Sequence, residues 1–192
     1  MDGRTTPGVP RRSYLRIPFE LAGEAAPRRY IDPPGVTWKQ ADDDEELVAV
    51  LARALETSLD PREEALVNEV GARAVAVLMI EDARSGVRYR ALREWWNLVV
   101  LDGVTAGVVL PVVFTGCDRE GLDEATLYHI AVVAEQRSRG LGKVLLGRAT
   151  DTLLAHGVWR IYCDTAAENA PMIRLFEGQK WSRLSPIEVG PL

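Results

Sequence analysis

Residues 127–143 combine an apolar run, a basic turn and the start of an amphipathic segment. The turn carries cations at positions 137, 139 and 143, with Gly140 and Gly142 between them. Backbone N–H groups at a helix start have no partner inside the helix, and nearby cations add to their attraction for anions. The stretch therefore predicts a phosphate-binding turn, and we expect the other elements to hold it and to bring a second substrate to it.

A glycine pair between a strand and a helix is also typical of a dinucleotide site. Asp164, which follows Gly142 by about 22 residues, would then be the acid that binds a ribose. However, Leu145 occupies the place of the third glycine, and the loop 135–139 is too long and too basic for the tight turn. Only one further strand–helix–strand unit follows, so a doubly wound sheet cannot be completed. The sequence therefore favours a phosphate site of another kind over an oxidoreductase.

The composition predicts a single globular domain with a substantial core. The chain has 192 residues, of which 47% are hydrophobic and 27% charged, and its net charge of −5 argues against non-specific binding to nucleic acid or to anionic lipid. Two cysteines make neither a disulfide framework nor a zinc site, and we expect no metal. The start of the chain lacks an apolar signal-peptide core, and Asn97 and Asp102 interrupt the apolar stretch 95–114. We therefore expect a cytoplasmic protein that does not span a membrane.

The pattern of apolar residues and turn signals predicts an α/β protein of the α+β type, with a mostly antiparallel mixed central sheet flanked by helices on both faces. We expect a disordered start over residues 1–12, an N-terminal strand and proline-rich arm over 13–35, and a single domain over 36–192. The arm would pack across a homodimer or along a sheet edge. The predicted elements are, in order, strands 14–20 and 36–40, a helix from Asp43, a helix from Pro61 whose stripe continues to Glu81, strands 95–101 and 104–114 joined at Asp102-Gly103, strand 125–133, helix 140–157, strand 158–163, helix 169–178 and strand 180–184. Pro111 is expected at a bulge or on an edge.

Two motifs in this order resemble those of the GNAT N-acyltransferase superfamily. The turn Arg137-Ser138-Arg139-Gly140-Leu141-Gly142 is similar to its Arg/Gln-x-x-Gly-x-Gly/Ala turn, and residues 130–132 resemble the usual strand entry. Downstream, Asn169-x-x-Met172-x-x-Leu175-Phe176 is similar to the Asn-x-x-Ala-x-x-Leu-Tyr signature at the same spacing. The resemblance covers roughly residues 36–185.

The resemblance implies that the chain binds acyl-CoA, most often acetyl-CoA, as co-substrate. Backbone N–H groups of residues 137–142 would hold the pyrophosphate, and the glycines would let the backbone approach it closely. The pantetheine arm would pair like a strand with residues 130–132, while an amide near Val132 or Val133 would polarise the thioester carbonyl. Asn169 would touch the arm near its sulfur. The implied CoA-binding residues are Ile130, Ala131, Val132, Val133, Arg137, Ser138, Arg139, Gly140, Leu141, Gly142, Lys143, Asn169 and Phe176.

The implied reaction needs a neutral amine, so a carboxylate or histidine should remove its proton. Glu124 is the first candidate base, because strand alternation places it on the same face as Thr126, where many relatives have a carboxylate. His129 is the second candidate, although alternation would turn it to the opposite face. Phe176 replaces the signature's tyrosine and has no proton to give, which leaves Tyr128 and Tyr162 as alternative acids.

The sequence thus predicts an N-acetyltransferase that moves an acetyl group from acetyl-CoA to a primary amine of a small molecule or peptide, by direct attack in a ternary complex. The alternative is a catalytically weak acyl-CoA-binding or sensing module of the same fold, suggested by Phe176 and Thr126.

Overall fold

The computed structural model describes residues 13–24 and 31–190, which form one mixed sheet of nine strands flanked by five helices. The strands are β1 (Tyr14–Ala22), β2 (Val36–Gln40), β3 (Tyr89–Arg90), β4 (Asn97–Leu101), β5 (Val104–Phe114), β6 (Glu124–Val132), β7 (Arg160–Ala166), β8 (Ser182–Arg183) and β9 (Ile187–Val189). The helices are α1 (Asp44–Leu55), α2 (Pro61–Val70), α3 (Ala72–Arg84), α4 (Leu141–His156) and α5 (Ala170–Gly178), with short 3-10 turns at Arg93–Trp95 and Ala134–Gln136.

The sheet runs in the order β2-β4-β5-β6-β7-β1-β8, while β3 pairs with β5 and β9 pairs with β1. Every pairing is antiparallel except the one between β6 and β7. The predicted α/β class and mostly antiparallel sheet are therefore confirmed. The N-terminal strand lies next to the edge of this sheet, where it pairs with β7 over seven residue pairs. The expected disordered start, residues 1–12, and the part of the arm over 25–30 lie outside the described residues.

Local turn and cap signals lie where their chemistry places them. Asp102 and Gly103 have φ values of 51° and 81°, which confirms the tight hairpin between β4 and β5. Asp43 caps α1 by accepting hydrogen bonds from the amides of Glu45 and Glu46. Gly157 ends α4 in the left-handed conformation with a φ of 84°. These short-range features orient the helices against the sheet.

Two predicted elements differ in the structure. The helix expected from Pro61 through Glu81 is divided into α2 and α3, because Gly71 adopts a φ of 86° that no helical residue has. The last predicted strand, 180–184, shrinks to the two residues of β8, and the chain adds β9 after it. Both β8 and β9 pair with β1.

A bulge divides β6 into two halves. Val112 pairs with Thr126 and Pro111 with Leu127, but Leu110 pairs with His129, so Tyr128 is the extra residue on β6. Pro111 therefore lies at a bulge, one of its two expected positions. Because paired residues share a sheet face, and positions 110 and 112 of β5 lie on the same face, His129 lies on the face of Thr126.

Helices α1 and α4 pack on β5, and the buried side chains join in a core cluster that includes Trp96, Phe19 and Phe176. Within the described ranges, no helix has the length and apolar character needed to cross a membrane. The same residues contain no group of three or more His, Cys, Asp or Glu side chains that could hold a metal ion.

Candidate active site

The separation of β6 from β7 opens the main cleft. The two strands pair only at Glu124–Arg160 and Ala125–Ile161, after which they diverge. The cavity between them has a volume of about 570 Å³ and is lined by β6, β7, the α1–α2 loop, the basic turn and α5. A cavity of this size suits a small ligand or an extended chain.

Cys163 lies where the strands part. Its Sγ accepts hydrogen bonds from the amide of Leu127 at 3.4 Å and from Oγ1 of Thr126 at 3.7 Å. Burial raises the pKa of the Cys163 thiol to about 12, although both hydrogen bonds lower it. The thiol is therefore neutral near pH 7, which makes it a poor nucleophile.

The basic turn presents free backbone donors to the cavity. Ser138 and Gly140 have φ values of 62° and 81°, and the amides of residues 138–142 donate to no other group in the described part of the chain. Ser138, Gly140, Leu141 and Gly142 all line the cavity. Free amides around two positive-φ residues, placed before a helix of 16 residues, form a concave anion site.

The Arg137 side chain makes several contacts with the backbone of the protein. Its guanidinium donates to the carbonyls of Val132 at 3.0 Å, Thr57 at 3.1 Å and Ala54 at 3.4 Å, and its amide donates to Ala134 at 3.2 Å. The last carbonyls of α1 have no intrahelical partner, so they attract this side chain. Arg137 thus ties the turn to α1 through three of its five guanidinium N–H groups, and its amide is occupied as well, although the residue also lines the cavity.

The other two cations of the turn make fewer contacts with the rest of the protein. Arg139 donates to Oε1 of Gln136 at 2.6 Å, and its side chain is half exposed. The Lys143 ammonium lines the cavity and makes no ion pair with another described residue.

The apolar half of β6 beyond the bulge forms one wall of the cleft. Ile130, Ala131 and Val132 line the cavity, and their register with β7 is broken. An unpaired strand edge of this kind accepts an extended ligand by backbone hydrogen bonds. Val133 already donates its amide to Ala106 at 3.0 Å, so this amide is occupied in the structure.

His129 faces the cleft from the same strand. Its Nδ1 lies 3.5 Å from Oε1 of Glu63, whose other oxygen accepts a hydrogen bond of 2.5 Å from Oγ of Ser58. The His129 side chain is only 11% exposed. The neighbouring carboxylate favours the tautomer with a proton on Nδ1, which leaves Nε2 as a proton acceptor. The bulge therefore places an oriented imidazole in the cleft.

Sequence reasoning missed a second ionic cluster, in which Arg16 joins two carboxylates. Its guanidinium lies 2.6 Å from Asp60 and also contacts Asp164. Burial lowers the pKa of Arg16, but the carboxylates of Asp164 and Asp60 outweigh this effect and raise it above its usual value. All three residues line the cavity. No local signal identifies the cluster, because its members lie on β1, at the start of α2 and on β7.

The remaining expected site residues are divided between the cleft and its surroundings. Glu124 lies at the paired end of β6, where its carboxylate is 3.1 Å from Nε of Arg160, and it does not line the cavity. Asn169 lines the cavity and caps α5 by accepting from the Met172 amide at 3.2 Å. Phe176 also lines the cavity, and its ring stacks on Phe19 with centroids 4.7 Å apart.

Neither alternative tyrosine offers a free hydroxyl proton in the cleft. The Tyr128 hydroxyl donates to Oδ2 of Asp82 at 3.0 Å, and burial, followed by the Asp82 charge, raises the pKa of Tyr128. Tyr162 lies under the Arg160 guanidinium at 4.8 Å and is not among the lining residues.

Comparisons with known proteins identify a matching family and several relatives. The family model described as the acetyltransferase (GNAT) family matches residues 11–180. The chain is 45% identical over 56 residues to the ribosomal protein bS18-alanine N-acetyltransferase of Salmonella typhimurium, and 43% identical over 56 residues to that of Escherichia coli K12. Each match covers 29% of this chain and 38% of the relative, so the chain spans well under half of these curated relatives.

Solved structures share the fold over most of the chain. A GCN5-related N-acetyltransferase from Sphaerobacter thermophilus has a TM-score of 0.59 and 18% identity, covering 94% of this chain and 53% of that one. A tandem GNAT protein from the clavulanic acid biosynthesis pathway has a TM-score of 0.60 and 21% identity. That match covers 94% of this chain and 55% of that one. The NatC complex bound to Gag peptide and CoA has a TM-score of 0.56 and 17% identity. That match covers 78% of this chain and 86% of that one. Identities this low show a shared fold and nothing further.

Proposed function

This chain belongs to the acetyltransferase (GNAT) family, and we propose that it transfers an acetyl group from acetyl-CoA to a primary amine. The observation that carries the proposal is the cleft between β6 and β7, where a turn of free amides and an oriented imidazole line one cavity. The free amides suit the phosphates of CoA, and the imidazole suits removal of a proton from an amine.

Acetyl-CoA binds along the open edge of β6. Its pyrophosphate accepts hydrogen bonds from the free amides of residues 138–142, with Lys143 as a nearby cation. Its pantetheine arm pairs with residues 130–132 in the way that a strand joins a sheet edge. Asn169 and Phe176 form the opposite wall, so the arm lies between β6 and α5.

The acetyl group passes directly to the acceptor. The amine nitrogen attacks the thioester carbonyl carbon, the C–N bond forms, and collapse of the intermediate breaks the C–S bond. Nε2 of His129 takes a proton from the amine, directly or through water, while the Glu63 carboxylate lies 3.5 Å from Nδ1 on the other side of the ring. The CoA thiolate leaves without an acid at position 176 and takes a proton from water or from His129. An acyl-cysteine route is disfavoured, because burial raises the pKa of Cys163 to about 12.

Glu124 has no role in this mechanism, because its ion pair with Arg160 lies at the closed end of the strands. The acceptor is a small-molecule or peptide amine. Support for a peptide comes from the curated relatives, which are named as acetyltransferases of a ribosomal protein alanine, and from the NatC structure, which contains a peptide.

The test is release of free CoA thiol from acetyl-CoA across a panel of amines, with His129→Gln as the main variant. We expect His129→Gln to lower kcat by about 100-fold. His156→Gln is the matched control, since His156 lies outside the cleft beside Asp123. Equal activity of the two variants would exclude His129 as the base.

The second candidate function is acyl-CoA binding without efficient turnover, which the missing hydroxyl at Phe176 favours. Acetyl-CoA would then raise the melting temperature of the wild type, while thiol release would stay at the uncatalysed rate with every amine. Both outcomes come from the same samples, so one set of measurements separates enzyme from sensor.

A further inference from the structure

The cleft is electrostatically polarised along its length. The free amides of the turn line one part, and the cations Arg137, Lys143 and Arg174 line the cavity as well. Asp60, Glu63 and Asp164 line another, where Arg16 is the cation beside them. Three carboxylates against one guanidinium leave two negative charges unneutralised when His129 is neutral. A cation is attracted to this acidic end, and an anion is repelled from it.

The cations that line the cavity leave no place for a substrate carboxylate at the acidic end. Arg16 is already bonded to two carboxylates, and its side chain is only 22% exposed. Arg137 is bonded to three backbone carbonyls. At the start of α2, the Asp60 side chain occupies the Arg62 amide and the Asp60 carbonyl occupies the Glu64 amide.

We infer that the acidic end selects an acceptor amine with no carboxylate beside it, so that an alkyl amine, an amino-acid amide or a peptide N-terminus is acetylated in preference to a free amino acid. This inference rests on the proposed function, because CoA phosphates at the basic turn leave the acidic end for the acceptor. The shared chemistry of these acceptors is an ammonium group flanked by neutral atoms.

The experiment compares kcat/KM for glycine, glycinamide and a glycine-initiated tripeptide amide, at matched concentrations of neutral amine. We expect glycine to be at least about tenfold poorer than glycinamide at low salt, and the gap to narrow at high salt as the charges are screened. If kcat/KM is higher for the tripeptide than for glycinamide, the source of the amine is a polypeptide N-terminus. If kcat/KM is higher for glycinamide, the source is a small molecule. Either order supports the inference if glycine remains poorest.

Glu63→Gln tests the cause, because it removes one negative charge at nearly constant shape. We expect the glycinamide-to-glycine ratio to fall by about fivefold, as one charge at close range in a partly exposed cleft has an effect of this size. Any loss of His129 orientation lowers kcat/KM for both substrates by the same factor, so it cancels in the ratio. Glu64→Gln is the control, since Glu64 is exposed on the same helix and does not line the cavity.

The outcomes are distinct. Glycine acetylated as well as glycinamide overturns this inference and leaves the acetyltransferase proposal standing. An equal change of the ratio in Glu63→Gln and Glu64→Gln also overturns it, because the selection would then not come from the cleft. No thiol release with any amine refutes both proposals together. Melting temperatures of both variants, measured alongside, confirm that each retains its fold.

Discussion

Arg137 and Arg139 lie two residues apart in the basic turn, and their side chains make different contacts. The Arg137 guanidinium donates to the carbonyls of Val132, Thr57 and Ala54 at 3.0, 3.1 and 3.4 Å. Arg139 donates to the Gln136 side chain at 2.6 Å, and the nearest carboxylate is 3.8 Å away. Substitution of each by alanine removes the same charge from the same turn, so the pair isolates the effect of the backbone contacts.

The expected cost follows from the three contacts. Hydrogen bonds from a charged donor contribute about 1.5–3 kcal/mol each when buried, but this side chain is exposed and each bond competes with water. We therefore expect Arg137→Ala to lower the free energy of unfolding by about 2 kcal/mol in total. For a domain of this size, that corresponds to a fall in Tm of about 4–8 °C. Arg139→Ala should change the free energy of unfolding by less than about 0.5 kcal/mol.

Urea unfolding gives the stabilities, and calorimetric titration with acetyl-CoA gives the affinities. Arg137→Ala should weaken acetyl-CoA binding through displacement of the turn, and Arg137→Lys should recover little stability, since an ammonium cannot reach three separate carbonyls. A variant Arg137→Ala that unfolds like the wild type but binds acetyl-CoA poorly would refute the anchoring role. Its guanidinium would then act on the phosphates, as the motif alone suggests.

Two further predictions test the turn and the thiol. Gly140→Ala should cost about 1 kcal/mol of stability and abolish the acetyl-CoA-induced rise in Tm, because Gly140 has a φ of 81°. Gly178→Ala, in α5, is the control: it should not lower stability and should leave the acetyl-CoA-induced rise unchanged. Exposed Cys117 should react with a thiol reagent at pH 8 within minutes, while Cys163 stays protected until unfolding, as mass spectrometry of the labelled peptides will show. The pKa of the Cys163 thiol is raised from 9.0 to about 12, so its contribution to stability is present below pH 9 and is lost between pH 9 and 12. Labelling of native Cys163 at pH 8 would contradict the protection of this thiol.

Features that depend on a few adjacent residues were accessible from the sequence. Asp102-Gly103 predicts its hairpin because only a few residue types accept two successive positive φ values. Asp43 predicts a helix start because its side chain can accept from amides two and three residues ahead. Pro111 cannot donate a ladder hydrogen bond, which is why it marks an irregular pairing. In each case the physical cause lies within four residues of the signal.

Features that depend on the arrangement of distant strands were not accessible in this way. The ion pairs of Arg16 join residues separated by 44 and 148 positions, and neither pair has a sequence pattern. Gly71 was compatible with a continuous helical stripe, because a glycine inside a helix costs only about 1 kcal/mol relative to alanine. The contacts of Arg137 depend on where α1 ends in space, and this is a property of the packed fold.

The bulge at Tyr128 explains why His129 replaces Glu124 as the first candidate base. Strict alternation places Glu124 and Thr126 on one face of β6 and His129 on the other. One extra residue at 128 reverses the alternation after it, so His129 joins the face of Thr126 while Glu124 stays at the end where the strands are paired. The same irregularity lies next to the point where β6 leaves β7 and opens the cleft. A single inserted residue thus accompanies both the opening of a binding edge and the placement of an imidazole within it.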